Sequence, residues 1–344
     1  MRLRSRRTSV LLVCAVVLIV AAIPVVGVLA MNGGATPSGR GGARAPSAAP
    51  AGAATGGGPA APRGTPFTAL GPGGLRIHAW ATPARPGAPT LVVINGGPGL
   101  SHAAAPPAGV LAPQFRVVAY DQRGTGLSRA PENTAFDLPD QVGDLEALRR
   151  RLGVARIDLL GHSWGGLIAA AYAASFPRHV GALVLADGEP IDPAAASRGT
   201  GLLMRRIGTL TAHGVIPAQV PSPSGDDCTA GLNALAPAYV ANPRLSVAPM
   251  PPHTCSETVS TLTANAQTPS LLRTVASALH HYRGPALVIF GGEDPFRPAF
   301  EPADVAELAA ARLRVTVLPH AGHMAWLESP RFWPDIRRFL AGAQ

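Results

Sequence analysis

A serine hydroxyl is a poor nucleophile until a neighbouring base removes its proton and a carboxylate holds that base in the right tautomer. In this chain of 344 residues the types and order that meet the requirement are Ser163, Asp294 and His323. Ser163 stands in Gly161-His162-Ser163-Trp164-Gly165-Gly166. Glycines two residues to either side suit a sharp turn from strand to helix, where backbone presses on backbone and leaves no space for a Cβ. The flanks agree with such an elbow: 156–160 ends in apolar residues and reads as a short strand, and 167–175 is rich in Ala and reads as a helix.

Asp294 follows a strand predicted over 286–291, and His323 follows one over 314–318. Polar side chains placed just beyond the carboxyl ends of strands can converge at one edge of a parallel sheet. Asp187 ends a strand over 182–186 and is the competing acid. Glu293 is expected to point elsewhere, His320 to pack or face solvent, and His162 to pack the elbow. The chemistry also needs backbone N–H groups aimed at the carbonyl oxygen as it gains charge. Trp164, directly after the serine, supplies one. The second is sought in Asn95-Gly96-Gly97-Pro98-Gly99, which ends an apolar run over 91–94; Gly97 is the first choice and Gly96 the next.

The positioning elements follow from the apolar pattern. A hairpin strand is expected over 75–81 and a buried strand over 117–120, the latter closed by Asp121-Gln122-Arg123-Gly124-Thr125-Gly126. Apolar residues at 138, 142, 145, 148 and 152 mark one helical face, with acidic residues near its start, Arg149 to Arg151 near its end and Gly153 after it. Further helices are predicted over 303–311 and 330–340. Short buried strands alternating with helices imply a mostly parallel sheet covered on both faces. Residues 189–283 break the rhythm with many Pro and amphipathic pieces at 202–210 and 271–279, and read as an inserted, mainly helical lid. The hydrolase core is then 66–188 and 284–344.

The formal charge of +9 is not spread over the chain. The first 120 residues hold ten Arg and no acidic residue, whereas from 121 onward 19 Arg face 20 Asp and Glu. That distribution excludes a broad basic surface for nucleic acid. Arg2, Arg4, Arg6 and Arg7 precede an uncharged apolar run over 10–30, and about 20 apolar residues suffice to cross a bilayer. Residues 1–31 therefore read either as a signal peptide cleaved near Val28-Leu29-Ala30 or as an uncleaved amino-terminal transmembrane anchor. A lipid-modified Cys14 is disfavoured by Val13 before it and by the apolar run that continues past it. In both readings the remainder is exported, secreted or anchored, and touches membrane only through this segment. Residues 32–65 are Gly, Ala, Pro, Ser and Thr with few others, and read as a disordered linker. Cys228 and Cys255 remain on the oxidising side and are expected to pair as a disulfide, two buried thiols being the alternative. No Cys/His spacing suggests zinc, and the chemistry asks for no metal or cofactor.

As a set, Asn95-Gly96-Gly97-Pro98-Gly99, Asp121 to Ser128 and the elbow resemble the α/β-hydrolase fold, and within it the proline iminopeptidase group of serine aminopeptidases. The likeness covers roughly 75–188 and 284–342, including Ala321-Gly322-His323 with Glu328 and Pro330 after it. It implies a triad of Ser163, Asp294 and His323, a lid that shapes the pocket, and lid carboxylates that hold a substrate's free amine. Glu189 and Glu257 are the glutamates available for that task; Asp226 and Asp227 are the most obvious aspartates. Asn95 stands where the group usually has His, and His162 where it often has Gly. The implied activity is that of an exported serine hydrolase releasing amino-terminal residues from short peptides. A carboxylesterase or other small-molecule ester or amide hydrolase with the same triad is the first alternative, and a catalytically silent binding module the second.

Overall fold

Along each central strand, successive side chains enter two different cores, as a strand's alternation requires. Val92 and Ile94 pack on one face of the sheet and Leu91 and Val93 on the other; Val288 and Phe290 are likewise opposed to Leu287 and Ile289. A sheet buried on both sides in this way must carry helices on both sides. A computed structural model describes residues 64–131 and 133–343 and has that arrangement. The membrane-directed segment expected over 1–31, and all but the end of the linker expected over 32–65, lie outside the described residues. Among the described residues no helix is long and apolar enough to cross a membrane.

The elements in chain order are β1 (Thr65–Leu70), β2 (Arg76–Ala81), β3 (Thr90–Ile94), β4 (Arg116–Tyr120), α1 (Leu138–Leu152), β5 (Ile157–His162), α2 (Trp164–Ser175), β6 (Val180–Ala186), α3 (Pro193–Ala212), α4 (Thr229–Leu235), α5 (Glu257–Ala266), α6 (Pro269–Leu279), β7 (Pro285–Gly291), α7 (Arg297–Glu307), β8 (Arg312–Leu318), α8 (Ala325–Glu328) and α9 (Phe332–Gly342). The strands form one sheet in the order β1-β2-β4-β3-β5-β6-β7-β8. β2 runs antiparallel to its neighbours and β3 to β8 pair in parallel. From β3 the chain moves outward to β4, and from β5 it moves outward the opposite way to β6. Loops leaving β3 and β5 therefore diverge and open a crevice at their carboxyl ends, the usual place for a site in such a sheet.

Local chemistry sets the ends of the elements. Asp137 caps α1 by accepting the Asp140 N–H at 3.0 Å, and Gly153 closes it in the left-handed region at φ 69°. β1 was not expected from sequence: Ala69 is its single buried residue, so it carries no alternating signal. α7 starts six residues before the expected 303, because Pro298 suits a first turn while Pro302, inside the helix, reads as a breaker.

The segment between β6 and β7 carries four helices, α3 to α6. Cys228 and Cys255 form a disulfide across it, with Cα atoms 5.1 Å apart. One piece read as lid from sequence belongs elsewhere. α6 packs against α2, with Leu272 and Leu279 buried in the main core, so its apolar stripe completes the helical layer over the sheet.

Candidate active site

Ser163 occupies the turn between β5 and α2 with φ 52° and ψ −124°. A backbone in that region costs a non-glycine residue about 1–3 kcal/mol and persists only where its surroundings impose it. Here they do. The Ser163 N–H points at the carbonyls of Asp187 (3.2 Å) and Ala186 (3.3 Å), and its own carbonyl accepts from Gly166 (2.7 Å) and Glu189 (2.9 Å). The glycines of the motif are there for space: a Cβ on Gly161 would run into the Gly165 carbonyl, and one on Gly165 into the Ile94 carbonyl.

The loop after β3 lies over the elbow because β3 pairs with β5, Ile94 opposite Gly161. A Cβ on Gly96 would come within 2.9 Å of Ser163 Cβ, so this position must be glycine for the loop to sit so close. Gly97 and Gly99 have φ of 61° and 84°. The buried Asn95 staples the loop, donating from Nδ2 to the Leu100 carbonyl (2.9 Å) and the Gly96 carbonyl (3.2 Å), while Gln122 donates to the Asn95 carbonyl (2.9 Å). Beyond it, Ser256 donates to the Gly99 carbonyl and Ser101 to the Thr254 carbonyl, which docks the loop on the disulfide-bearing part of the insertion.

His323 and Asp294 meet at the ends of β8 and β7, with His323 Nδ1 2.9 Å from Asp294 Oδ2 and both residues buried. The other oxygen, Oδ1, accepts the Phe296 N–H at 2.8 Å. With Nδ1–H given to the carboxylate, Nε2 keeps its lone pair, which is the tautomer a base needs. The ring is clamped by Phe296, His162 and Tyr239, at centroid distances of 4.7, 4.8 and 5.7 Å. His162 Nε2 lies 2.9 Å from the His323 carbonyl. Burial first, and then His323 beside it, hold the His162 pKa well below the usual value, so the ring is neutral, and its Nε2 donates because a carbonyl can only accept. Glu328 fixes the same loop by accepting the Gly322 N–H, and joins it to the insertion through Ala241 and Asn242. Among the described residues the imidazole's side-chain hydrogen bond runs to Asp294 rather than to Ser163. His162, adjacent to Ser163 in the chain and touching His323, joins the two parts of the site.

The competing acid is also here. Asp187 is fully buried with φ 49°, and its Oδ1 accepts the Gly291 N–H at 2.8 Å. One ligand atom from each of Asp187, Asp294 and His323 falls within 4.8 Å of the other two. Glu293 and His320 pair with each other in solvent at 3.3 Å, away from this cluster.

Of the two glutamates, Glu189 belongs to the elbow through its N–H to Ser163, and burial pushes its carboxyl up to about 8. Two acids that sequence reasoning missed lie behind it on α7. Asp304 is buried with neither oxygen hydrogen-bonded, and burial followed by the charges of Glu307, Glu189 and Glu301 raises its pKa well above the usual range. Glu307 accepts the N–H groups of Ile191 (3.2 Å) and Asp192 (2.8 Å) and is pushed up to about 7, mainly by burial. Glu257 begins α5, and no hydrogen bond joins its side chain to the elbow among the described residues. Asp226 and Asp227 are occupied locally, accepting from Ser256, Thr258, Thr229 and His253 around the disulfide.

A sequence profile described as alpha/beta hydrolase fold matches residues 89–330. The chain belongs to the α/β-hydrolase family. This α/β hydrolase is similar to the proline iminopeptidase of Neisseria meningitidis serogroup A (39% identity over 111 residues, 31% of this chain and 34% of the relative). It is also similar to RutD of Cronobacter turicensis, named as a carbamate hydrolase (38% over 103 residues, 30% of this chain and 39% of the relative). Each match thus spans well under half of the relative's length. Among solved structures, proline iminopeptidase from Mycobacterium smegmatis superposes with a TM-score of 0.56 at 23% identity, covering 81% of this chain and 98% of that one. A thermophilic esterase from Thermogutta terrifontis gives 0.56 at 21%, covering 81% and 99%. At such identities the α/β-hydrolase fold is what they share.

Proposed function

We propose that Ser163, His323 and Asp294 act as nucleophile, base and orienting acid, and that the protein is a serine hydrolase working through an acyl-enzyme. Ser163 Oγ attacks the substrate carbonyl as its proton passes to His323 Nε2, and Asp294 stabilises the imidazolium so formed. The carbonyl oxygen, now an anion, is held by the backbone N–H groups of Trp164 and Gly97, with Gly96 as the alternative donor; the first turn of α2 adds its dipole. His323 then gives the proton to the leaving group. Water, deprotonated by the same imidazole, attacks the acyl carbon and frees Ser163. The buried 2.9 Å contact between His323 and Asp294, on a loop tied to the residue preceding a strained serine, carries this reading.

For the substrate we favour short peptides entered from their free amino end, with the inserted helices serving as a lid. Glu189 supports the choice. It is a buried carboxyl beside the elbow with no cation near it among the described residues, and the charge of an incoming ammonium would lower its pKa so that its proton is released to water. The proline iminopeptidase relative points the same way. Until an amine arrives, Glu189 stays neutral at pH 7 and offers a hydrogen-bond donor, which favours a second reading: an uncharged ester or amide. Rates on amino-acyl amides beside short acyl esters separate the two. The peptidase reading expects amides with a free amine to win and E189Q to raise their KM; preference for uncharged acyl esters defeats it. Export is part of the proposal, and the Cys228–Cys255 disulfide suits an oxidising compartment.

A further inference from the structure

Asp294 spends both oxygens on donors, the His323 ring and the Phe296 N–H. Asp187 spends one, on Gly291, and its Oδ2 is buried with no donor reaching it. The neighbouring carboxyl is that of Asp294, with one oxygen of each residue within 4.8 Å of the other. Two full negative charges about 4 Å apart repel by about 4 kcal/mol even at an effective dielectric constant of 20. Among the described residues no arginine relieves them. His323 from the loop after β8 contacts the pair, Tyr239 from the insertion and His162 from β5 pack on its ring, and Asp304 lies behind Gly188. An oxygen without a donor becomes satisfied if it carries a proton and an acceptor lies beside it.

We propose that Asp187 is held as a neutral acid whose Oδ2–H donates to the Asp294 carboxylate, making it a positioning residue that moderates how strongly Asp294 draws a proton onto His323. The proposal rests on the triad described above. Burial first, and the Asp294 charge second, push the Asp187 carboxyl well above the usual range, in keeping with the geometry. The backbone places this donor with some care: the left-handed conformation at Asp187 lets its N–H reach the Ile289 carbonyl while its own carbonyl takes the Ser163 N–H. One residue thus touches the elbow through its main chain and the acid through its side chain. With part of the Asp294 charge engaged by this proton, the carboxylate stabilises the imidazolium less.

The test compares D187N with D187A. Asn keeps a neutral donor and tolerates the left-handed backbone, whereas Ala removes the donor. D187A is expected to raise the acidic midpoint of the kcat/KM profile by about one pH unit or less, and D187N to return it toward that of the unaltered protein. If Asp187 were charged, D187N would delete a negative charge beside His323 and lower the midpoint, which overturns the proposal. A second measurement needs neither turnover nor D187A. The infrared difference between unaltered protein and D187N at pH 7 should contain a protonated carboxylic acid band, and should contain it again in an S163A background; its absence also overturns the proposal. Retained turnover in S163A would instead remove the triad reading while leaving that band in place.

Discussion

Asp144 and Asp187 are both sealed from solvent, yet they are solved in opposite ways. Asp144 receives the Arg123 guanidinium through two hydrogen bonds, 2.8 Å from Nε and 2.9 Å from Nη2. Arg123 spends its remaining donors on the carbonyls of Ala135 and Asp140 and on the Asp140 carboxylate. Burial raises Asp144 to about 6 despite this partner, which still leaves it ionised at neutral pH. Behind the elbow, Asp187, Glu189, Asp304 and Glu307 are buried with no arginine bridged to them among the described residues. The first region is a closed electrostatic unit that fixes the turn after β4. The second keeps acids that burial pushes upward, as the proposed proton-moving site requires.

That contrast makes chemistry fragile in one region and stability fragile in the other. The largest effect expected is in the second: H323A should lower kcat/KM by about 10⁴-fold or more while the unfolding midpoint in urea stays close to that of the unaltered protein. In the first region R123M leaves a buried carboxylate without its cation and should cost about 3–5 kcal/mol of stability, read from urea titrations, with kcat of the folded fraction retained. A double variant R123M/D144L that recovers part of that loss would sharpen the distinction; a loss of kcat without loss of stability would break it.

Glu189 of the second region and Glu146, an arginine-paired acid elsewhere on α1, should answer pH with opposite signs. Glu189 has a folded pKa of about 8, above its ordinary 4.5, so the folded chain holds a proton that the unfolded chain has released between those values. Its favourable contribution is complete below 4.5 and lost as pH rises through 8. Glu146, hydrogen-bonded first by Arg149 and also by Tyr172 and Arg150, is lowered to about 2, so its contribution is present above 4.5 and lost as pH falls toward 2. E189Q is therefore expected to flatten the alkaline side of a stability-against-pH curve, and E146Q the acidic side. The smallest effect belongs to E257Q, at a half-exposed position outside both units, with under about 0.5 kcal/mol in stability and no change in KM for amine substrates.

What could be read in sequence was local or repeated. Gly161-His162-Ser163-Trp164-Gly165 declares a turn within five residues, and β3, β5 and β7 announce themselves as apolar runs ending in polar or glycine residues. The placement of Asp294 and His323 beyond their strands followed from the same pattern. What could not be read depends on which strand lies beside which. Ala186 pairs with Ile289, and that register carries Asp187 to Asp294, which are 107 positions apart. The acids of α7 look like an ordinary solvated face in sequence; α3 packs over them, and nothing local signals that covering. α6 shows an amphipathic stripe whether it faces a lid or a sheet, so its assignment had to wait for α2.

Reaction of the intact protein with a fluorophosphonate, followed by mass spectrometry across pH, tests the central claim that His323 makes the Ser163 alcohol reactive. The account predicts a single adduct on Ser163, absent in S163A and formed at least tenfold more slowly in H323A than in the unaltered protein. An adduct on another residue, or equal rates with and without the imidazole, would contradict it.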